Sequence, residues 1–273
     1  MAETQGDVGA RLREWRLRRR MSQLDLACEA DISTRHLSFV ETGRAQPSRD
    51  MLMLLAEHLS IPLRERNVLM VAAGYAPVFA ERPLDHPDMA GARAAVEQVL
   101  AGHDPWPALA IDRHWNLVTA NAAVAPLLAS VAPALLEPPV NVMRLSLHPD
   151  GLASRTLNFH EWREHLLARL RQQIDVTADA GLIALLDELK GYPAPPGATR
   201  RSAATGIVAP LQLAMDGAVL SFISTTTVFG TPLDITLSEL ALETFFPVDE
   251  ATANVLQALS AARRKDAAGG RPG

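Results

Sequence analysis

The run SQLDLACEADISTRHLSFVETGRAQPS, residues 22–48, decides how this chain is read. Ser22 precedes an apolar-periodic stretch as an N-cap, and Asp25 three residues on puts a carboxylate beside the positive helix end. The helix it opens is short, because Asp31, Ile32 and Ser33 make a tight turn. Residues 34–41 then read as another helix with Leu37 and Val40 facing inward, stopped by Thr42 and by Gly43 at the C′ position. Two short helices across a turn of this length form a geometry that reads DNA. Upstream, Val8, Leu12 and Trp15 recur at helical spacing between Gly6 and Arg20, with arginines on the other faces. Downstream, residues 51–59 and 63–73 supply two more helices that close an all-α bundle.

At 273 residues, with 48% of them hydrophobic and 21% charged, the chain has the length for two domains and an ordinary globular composition. A net charge of −5 excludes a general nucleic-acid coat protein, since non-specific binding neutralises phosphates with a positive surface. The charge is unevenly placed: up to Met70 there are 11 basic and 10 acidic residues, against 15 and 21 in the remainder. The second domain is therefore acidic and does not compete for DNA. The polar start carries no secretory pattern and no apolar run reaches the ~18 residues of a membrane span, so a cytoplasmic protein is expected, with no membrane partner. The lone Cys28 has no disulfide partner, which fits a reducing compartment, and it reads as a small core residue.

The 22–48 run resembles the phage lambda-repressor-like helix-turn-helix of the xenobiotic-response-element (XRE) regulators, through Gln23, Ala27, Ile32, Leu37, Val40, Glu41, Gly43 and Pro47. That resemblance implies a double-stranded operator as partner, with Gln23 on a phosphate and the first residues of the third helix in the major groove. The candidate DNA-binding residues are Gln23, Ser33, Thr34, Arg35, Ser38, Phe39, Arg44 and Arg49. Arg35 is suited to a bidentate contact with guanine and Phe39 to a thymine methyl, while Arg44 and Arg49 would hold phosphates. The arginine run 16–20 reads as a solvated helix face apart from Arg16, which by the same resemblance pairs with Glu41 as a structural link. His36 reads as solvent-facing.

Beyond residue 75 the pattern changes. Residues 76–87, with Pro77, Pro83 and Pro87, read as a linker; residues 88–264 form the second domain, and 265–273 a disordered tail. A helix over 87–102 leads to strands 108–111 and 117–119 joined by the connection 112–116, with Asn121 capping the next helix. Helices over 159–174 and 178–189 follow, then strand-like runs 206–215, 218–226 and 233–245, and a helix over 248–263. The early hairpin resembles the opening of a PAS sensory domain, and the late runs complete a five-stranded antiparallel sheet. The expected fold is thus α+β, an all-α helix-turn-helix domain followed by a PAS-like domain.

The segments GYAP at Gly74, NVMRLSLHP at Asn141, EW at Glu161, STTTVFGTPLDITL at Ser224 and ETFFPVDEAT at Glu243 resemble the MmyB-like family of XRE regulators, over nearly the whole chain. The resemblance implies a one-component regulator whose pocket accepts a small apolar ligand, with fatty acids and their derivatives the leading class; a homodimer is expected because a single short domain of this kind reads too few bases. Trp106, Trp115, Trp162, Leu166 and Phe222 are candidates for the pocket lining, together with Leu117, Leu145, Leu213 and Phe229, and ordinary core packing is the alternative for each. Arg144 and His148 could hold a carboxylate by charge-assisted hydrogen bonds, or serve only as a cap or salt bridge. The histidines 103, 114, 148, 160 and 165 show no HxxxH or CxxCH spacing, so neither a metal nor a haem is expected, and no cofactor. No G-x-S-x-G, P-loop or dinucleotide fingerprint is present, which argues against an enzyme. The competing reading is a repressor whose second domain is a protein-interaction module without a small-molecule ligand.

Overall fold

The computed structural model describes residues 8–198 and 209–269. These divide into two compact units: one runs to Arg82 and adds Thr231–Ser238, the other takes the rest. The first is built on α1 (Val8–Arg18), α2 (Gln23–Glu29), α3 (Thr34–Glu41), α4 (Arg49–His58) and α5 (Leu63–Ala72). Ser22 and Asp25 close a reciprocal capping box, Asp25 N–H donating to Ser22 Oγ at 3.1 Å and Ser22 N–H to Asp25 Oδ2 at 2.8 Å. Ser33 and Ser48 are one-way N-caps of α3 and α4, each Oγ accepting from His36 or Met51 N–H. Leu12, Leu26, Leu37, Val40, Leu52 and Met70 meet in one apolar core. Cys28 is exposed, contrary to the core position expected of it. Leu26 and Ala27 take the inward positions of α2, and the next residue is carried about 100° further round the helix.

Where α1 crosses α3 the backbones nearly touch. A Cβ on Gly9 would fall on the Val40 carbonyl oxygen and 2.8 Å from that of Glu41. The arginine run also does more than face solvent: Arg19 donates from Nε to the Leu59 carbonyl at 2.8 Å and from Nη2 to that of Ser60 at 3.0 Å, closing the end of α4. Nor is 76–82 a free linker. Asn67 Oδ1 accepts from Val78 and Phe79 N–H at 2.8 and 3.0 Å, its Nδ2 donates to the Phe79 carbonyl at 2.7 Å, and Arg64 pairs with Glu81 at 2.6 Å. The prolines here shape a strap laid on the helical unit.

The second unit contains α6 (Ala90–Gly102), β1 (Ala108–Ile111), β2 (Leu117–Ala120), α7 (Ala125–Leu128), α8 (Val142–Leu147), α9 (Phe159–Thr177), α10 (Ala180–Gly191), β3 (Leu211–Met215) and β4 (Ala218–Val228). Between β4 and β5 (Ala241–Pro247) lies α11 (Ile235–Ser238), and α12 (Glu250–Gly269) ends the described chain. The strands form one antiparallel sheet in the order β2-β1-β5-β4-β3, a PAS-like arrangement in which the first strand pairs with the last. The inner face carries Leu109, Leu213, Leu220 and Phe222 against Trp162, Leu166 and Leu170 of α9. On the other face Val96 and Leu100 of α6 cover Ala108, Ala110 and Leu242.

Three sequence expectations change here. The third late strand does not begin at residue 233: residues 231–238 leave the sheet and belong to the first unit, where Ile235 N–H donates to the Ala80 carbonyl at 2.9 Å and Arg82 pairs with Asp234 at 3.1 Å. Pro232 and the turn made by Asp234, whose Oδ1 accepts from Thr236 N–H, break the extended pattern. Asn121 caps no helix; its Oδ1 accepts from Ala108 N–H and its Nδ2 donates to the Leu100 and Trp106 carbonyls, tying β1 to the loop before it. Finally, α12 is helical through residue 269, so the part of the expected tail before 270 is ordered as helix, while 270–273, like 206–208 of the expected strand, lie outside the described residues.

The α1–α3 crossing sets a test of the fold. In an exposed helix Gly→Ala stabilises by roughly 1 kcal/mol, whereas Gly9→Ala is expected to destabilise by about 1–3 kcal/mol through overpacking. Thermal unfolding of the full chain reads the sign directly, and a raised midpoint for the variant would contradict the close crossing.

Candidate functional site

In the first unit the side chains expected on DNA are set on α3 and the helix ends beside it. Thr34, Arg35 and Ser38 occupy the first two turns of α3, and Arg35, Arg44 and Arg49 are exposed. Phe39 is half-buried between two guanidinium groups, with Arg35 Cζ 5.3 Å and Arg44 Cζ 5.9 Å from its ring centroid. Arg35 and Phe39 are four apart on one helix face, so the ring holds Arg35 along the surface of α3. Ser33 Oγ is engaged as the N-cap, and Arg49 opens α4 beside its own cap Ser48. The face thus brings together Thr34, Arg35, Ser38 and Phe39, with Arg44 in the following loop.

Behind that face lies a buried charge cluster. Arg16 Nε and Nη2 donate to Glu41 Oε1 and Oε2 at 2.6 and 2.8 Å, and Arg16 Nη1 donates to the Met21 carbonyl at 2.8 Å. Gln23 Nε2 donates to Glu41 Oε2 at 2.8 Å, so the amide expected on a phosphate also joins α2 to α3. Burial pushes the Glu41 carboxyl up, but the hydrogen bonds from Arg16 and Gln23 outweigh it and hold the group below its usual range. Three helices are pinned by one carboxylate.

In the second unit, a cavity of about 100 Å³ lies between the inner sheet face and α7, α8 and α9. Its wall is mostly apolar: Trp115, Trp162, Leu166 and Phe222 line it, as do Leu117, Leu145, Leu213, Leu128 and Met143. Trp106 packs against the surrounding core without lining the cavity, and Phe229 belongs to the cluster on the opposite sheet face. Arg144 and His148 are not in the wall either. Arg144 makes a bidentate pair with Glu188 at 2.7 and 2.8 Å at the surface, and His148 sits past the end of α8, where its Nδ1 accepts from Asp150 N–H at 3.1 Å.

The polar part of the wall is Ser146, Ser224, Arg169 and Glu243. Ser146 Oγ accepts from Trp162 Nε1 at 2.8 Å. Arg169 Nη2 and Nη1 donate to Glu243 Oε1 and Oε2 at 2.6 and 3.1 Å; Thr226 Oγ1 accepts from Arg169 Nη2 at 2.8 Å and donates to Glu243 Oε1 at 2.8 Å. Glu243 is only 3% exposed. Its register opposite Thr226 on β4 and Leu109 on β1 puts it at mid-sheet on the face turned to α9. The guanidinium stacks over Trp115, with Cζ 4.8 Å from the ring centroid.

Trp115 has a φ of +66°, unusual for so large a side chain. The conformation is held from both sides. Asp112 Oδ1 accepts from His114 and Asn116 N–H at 2.8 and 2.9 Å, Gln173 Oε1 accepts from Trp115 Nε1 at 2.6 Å, and Gln173 Nε2 donates to the Arg113 carbonyl at 2.7 Å. His165, stacked on Trp162 at 5.3 Å, has its pKa lowered by burial and by the Arg169 charge, against the pull of Glu243. Sequence reasoning did not single out Arg169, Glu243 or Gln173. The available signal was Glu243, a lone charge in an otherwise apolar strand.

A helix-turn-helix face in one unit and a lined cavity in a PAS-like unit define a DNA-binding transcription regulator with a ligand-binding domain. Residues 12–66 match the helix-turn-helix family model, and residues 92–259 match that of the MmyB-like transcription regulator ligand binding domain. The chain belongs to the MmyB-like transcription regulators. No curated protein matches it.

The charge cluster behind the reading face gives a pH-dependent test. Because Glu41 is held below its unfolded value of about 4.3, its contribution is complete above that value and is lost as pH falls through the lower folded one. Glu41→Gln leaves Arg16 buried without a counter-charge and is expected to cost about 3–5 kcal/mol at pH 7. Denaturant unfolding of both proteins from pH 7 to pH 3 should show the gap narrowing toward acid. A gap independent of pH would contradict the assignment.

Proposed function

We propose that this protein is a homodimeric one-component regulator that binds an operator of inverted half-sites and changes its DNA affinity when an apolar ligand enters the cavity. The reading rests above all on the apolar cavity in a unit that carries the ligand-binding family pattern. Arg35, held along α3 by Phe39, is placed to read a guanine edge; Thr34, Ser38 and Phe39 read neighbouring positions, and Gln23, Ser33, Arg44 and Arg49 set the register on phosphates. One such unit reads few bases, so a dimer with half-sites about 10–10.5 base pairs apart supplies the rest. It acts in the cytoplasm and catalyses no reaction. The cavity takes a fatty acid or a derivative of one.

At about 100 Å³ the cavity is below the roughly 300–1,000 Å³ usual for ligand pockets, so a chain of any length displaces wall side chains. Leu117, Leu128, Leu152 and Met143 are unbranched at Cβ and re-rotamer at low cost. That requirement gives the ligand its leverage: it binds a dilated arrangement better than the closed one, and only a differential affinity moves an equilibrium. A coupling of about 1–3 kcal/mol changes operator affinity roughly 5- to 150-fold.

Two experiments test the reading. On operator DNA, Arg35→Ala should lose about 1–3 kcal/mol and relax preference at one base pair in each half-site, whereas Arg44→Ala should weaken all sequences alike and flatten the salt slope by about one. Equal losses on specific and random DNA for Arg35→Ala, or a footprint over one half-site, would refute the proposed face and dimer. For the sensor, operator titration at fixed salt with and without C6–C14 fatty acids and their derivatives should show the shift, and Leu128→Phe, which fills the cavity, should abolish it while leaving ligand-free DNA binding intact. If nothing apolar binds, the second domain is a protein-interaction module instead.

A further inference from the structure

Two of the four polar residues in the cavity wall, Ser146 and Ser224, are neutral hydroxyls. The other two, Arg169 and Glu243, neutralise each other in a closed arrangement with Thr226. Among the described residues no other charged side chain lines the cavity. Arg144, the cation suggested by sequence, is spent on Glu188. The Arg169–Glu243 pair also borders an outer groove lined by Arg113, Gln172 and Gln173. Trp115, Arg169 and Glu243 belong to both linings, so the pair stands where the apolar interior meets the surface. The polar end of a chain lodged among the leucines therefore meets this pair.

We infer that the cavity selects an uncharged amphiphile, an apolar chain ending in a hydroxyl or carboxamide, over the free carboxylate. The inference rests on the proposed reading of this cavity as the ligand site. A second carboxylate brought to Arg169 lies beside that of Glu243, so the attraction of the guanidinium is offset by like-charge repulsion while the incoming anion still loses its water. A neutral head loses far less hydration than an anion. It accepts from a guanidinium N–H and donates to a carboxylate oxygen with spare lone pairs, leaving the ion pair whole. Displacing Glu243 is no escape, because that strands a carboxylate only 3% exposed in mid-sheet without its counter-charge.

The test uses the full chain and three probes with the same ten-carbon skeleton: decanol, decanamide and decanoate. Binding is followed by calorimetry and by the fluorescence of Trp115 and Trp162, both in the wall. At pH 7 decanol and decanamide should bind at least about tenfold more tightly than decanoate, a difference of roughly 1.4 kcal/mol. Glu243→Gln removes the competing negative charge and frees Arg169, and should reverse the order in favour of decanoate. Decanoate binding the wild type as well as or better than the neutral probes would overturn the head-group inference alone and leave the cavity a ligand site. No binding of any probe, repeated at six and fourteen carbons, would overturn both. Should Glu243→Gln fail to fold, the wild-type comparison still decides.

Discussion

A charge removed from water has to meet its counter-charge, and each unit of this protein is organised around one place where that requirement is satisfied. In the helical unit it is the Glu41 carboxylate, which accepts from Arg16 Nε and Nη2 and from the Gln23 amide. Since these three residues come from α1, α2 and α3, the angle between the two helices of the reading motif is tied to the position of the first. Close passage of α1 over α3, possible only at Gly9, lets Arg16 reach so deep. In the PAS-like unit the same role falls to Arg169 and Glu243, which join α9 to the central strand of the sheet. Removing Arg16 or Arg169 leaves a carboxylate no more than 4% exposed without its counter-charge, at roughly 3–5 kcal/mol.

The two pairs differ in what surrounds them. Glu41 lies behind Arg35 and Phe39, enclosed by the fold, and holds α1, α2 and α3 together. Arg169–Glu243 borders an apolar hollow on one side and a groove on the other. Here the charges in the lining neutralise each other, and among the described residues no other charged side chain joins them. The Trp115 conformation belongs to the same arrangement: its positive φ, held by Asp112 and Gln173, lays the indole under the guanidinium. Strain of this kind persists only where neighbours over-determine it.

The reading helices were legible in the chain because their signals are local. Ser22 with Asp25, Ser33 ahead of α3 and Gly43 after it each act within one or two turns, and the spacing of Leu12, Leu26, Leu37 and Val40 shows which faces turn inward. The early hairpin and the alternation of β3 and β4 are local in the same sense. Misreadings came where local pattern and tertiary context part. Residues 233–238 carry strand-like residues but leave the sheet and belong to the helical unit; 76–82 look like a linker but are fastened by Asn67; and Asn121 serves strand β1 rather than a helix.

By itself, then, the sequence determined a helix-turn-helix followed by an α+β ligand-binding domain, and which side chains of α3 turn away from the core. Periodicity and capping depend on residues within a few positions of one another. Only the tertiary structure decided the chemistry of the cavity. It drew Arg169 and Glu243, 74 residues apart, into one ion pair and left Arg144 at the surface with Glu188. Which cation faces an interior follows from the register of β5 against β4 and the rotation of α9 over the sheet. These are set by long-range packing of the whole core, which no stretch of sequence read alone contains.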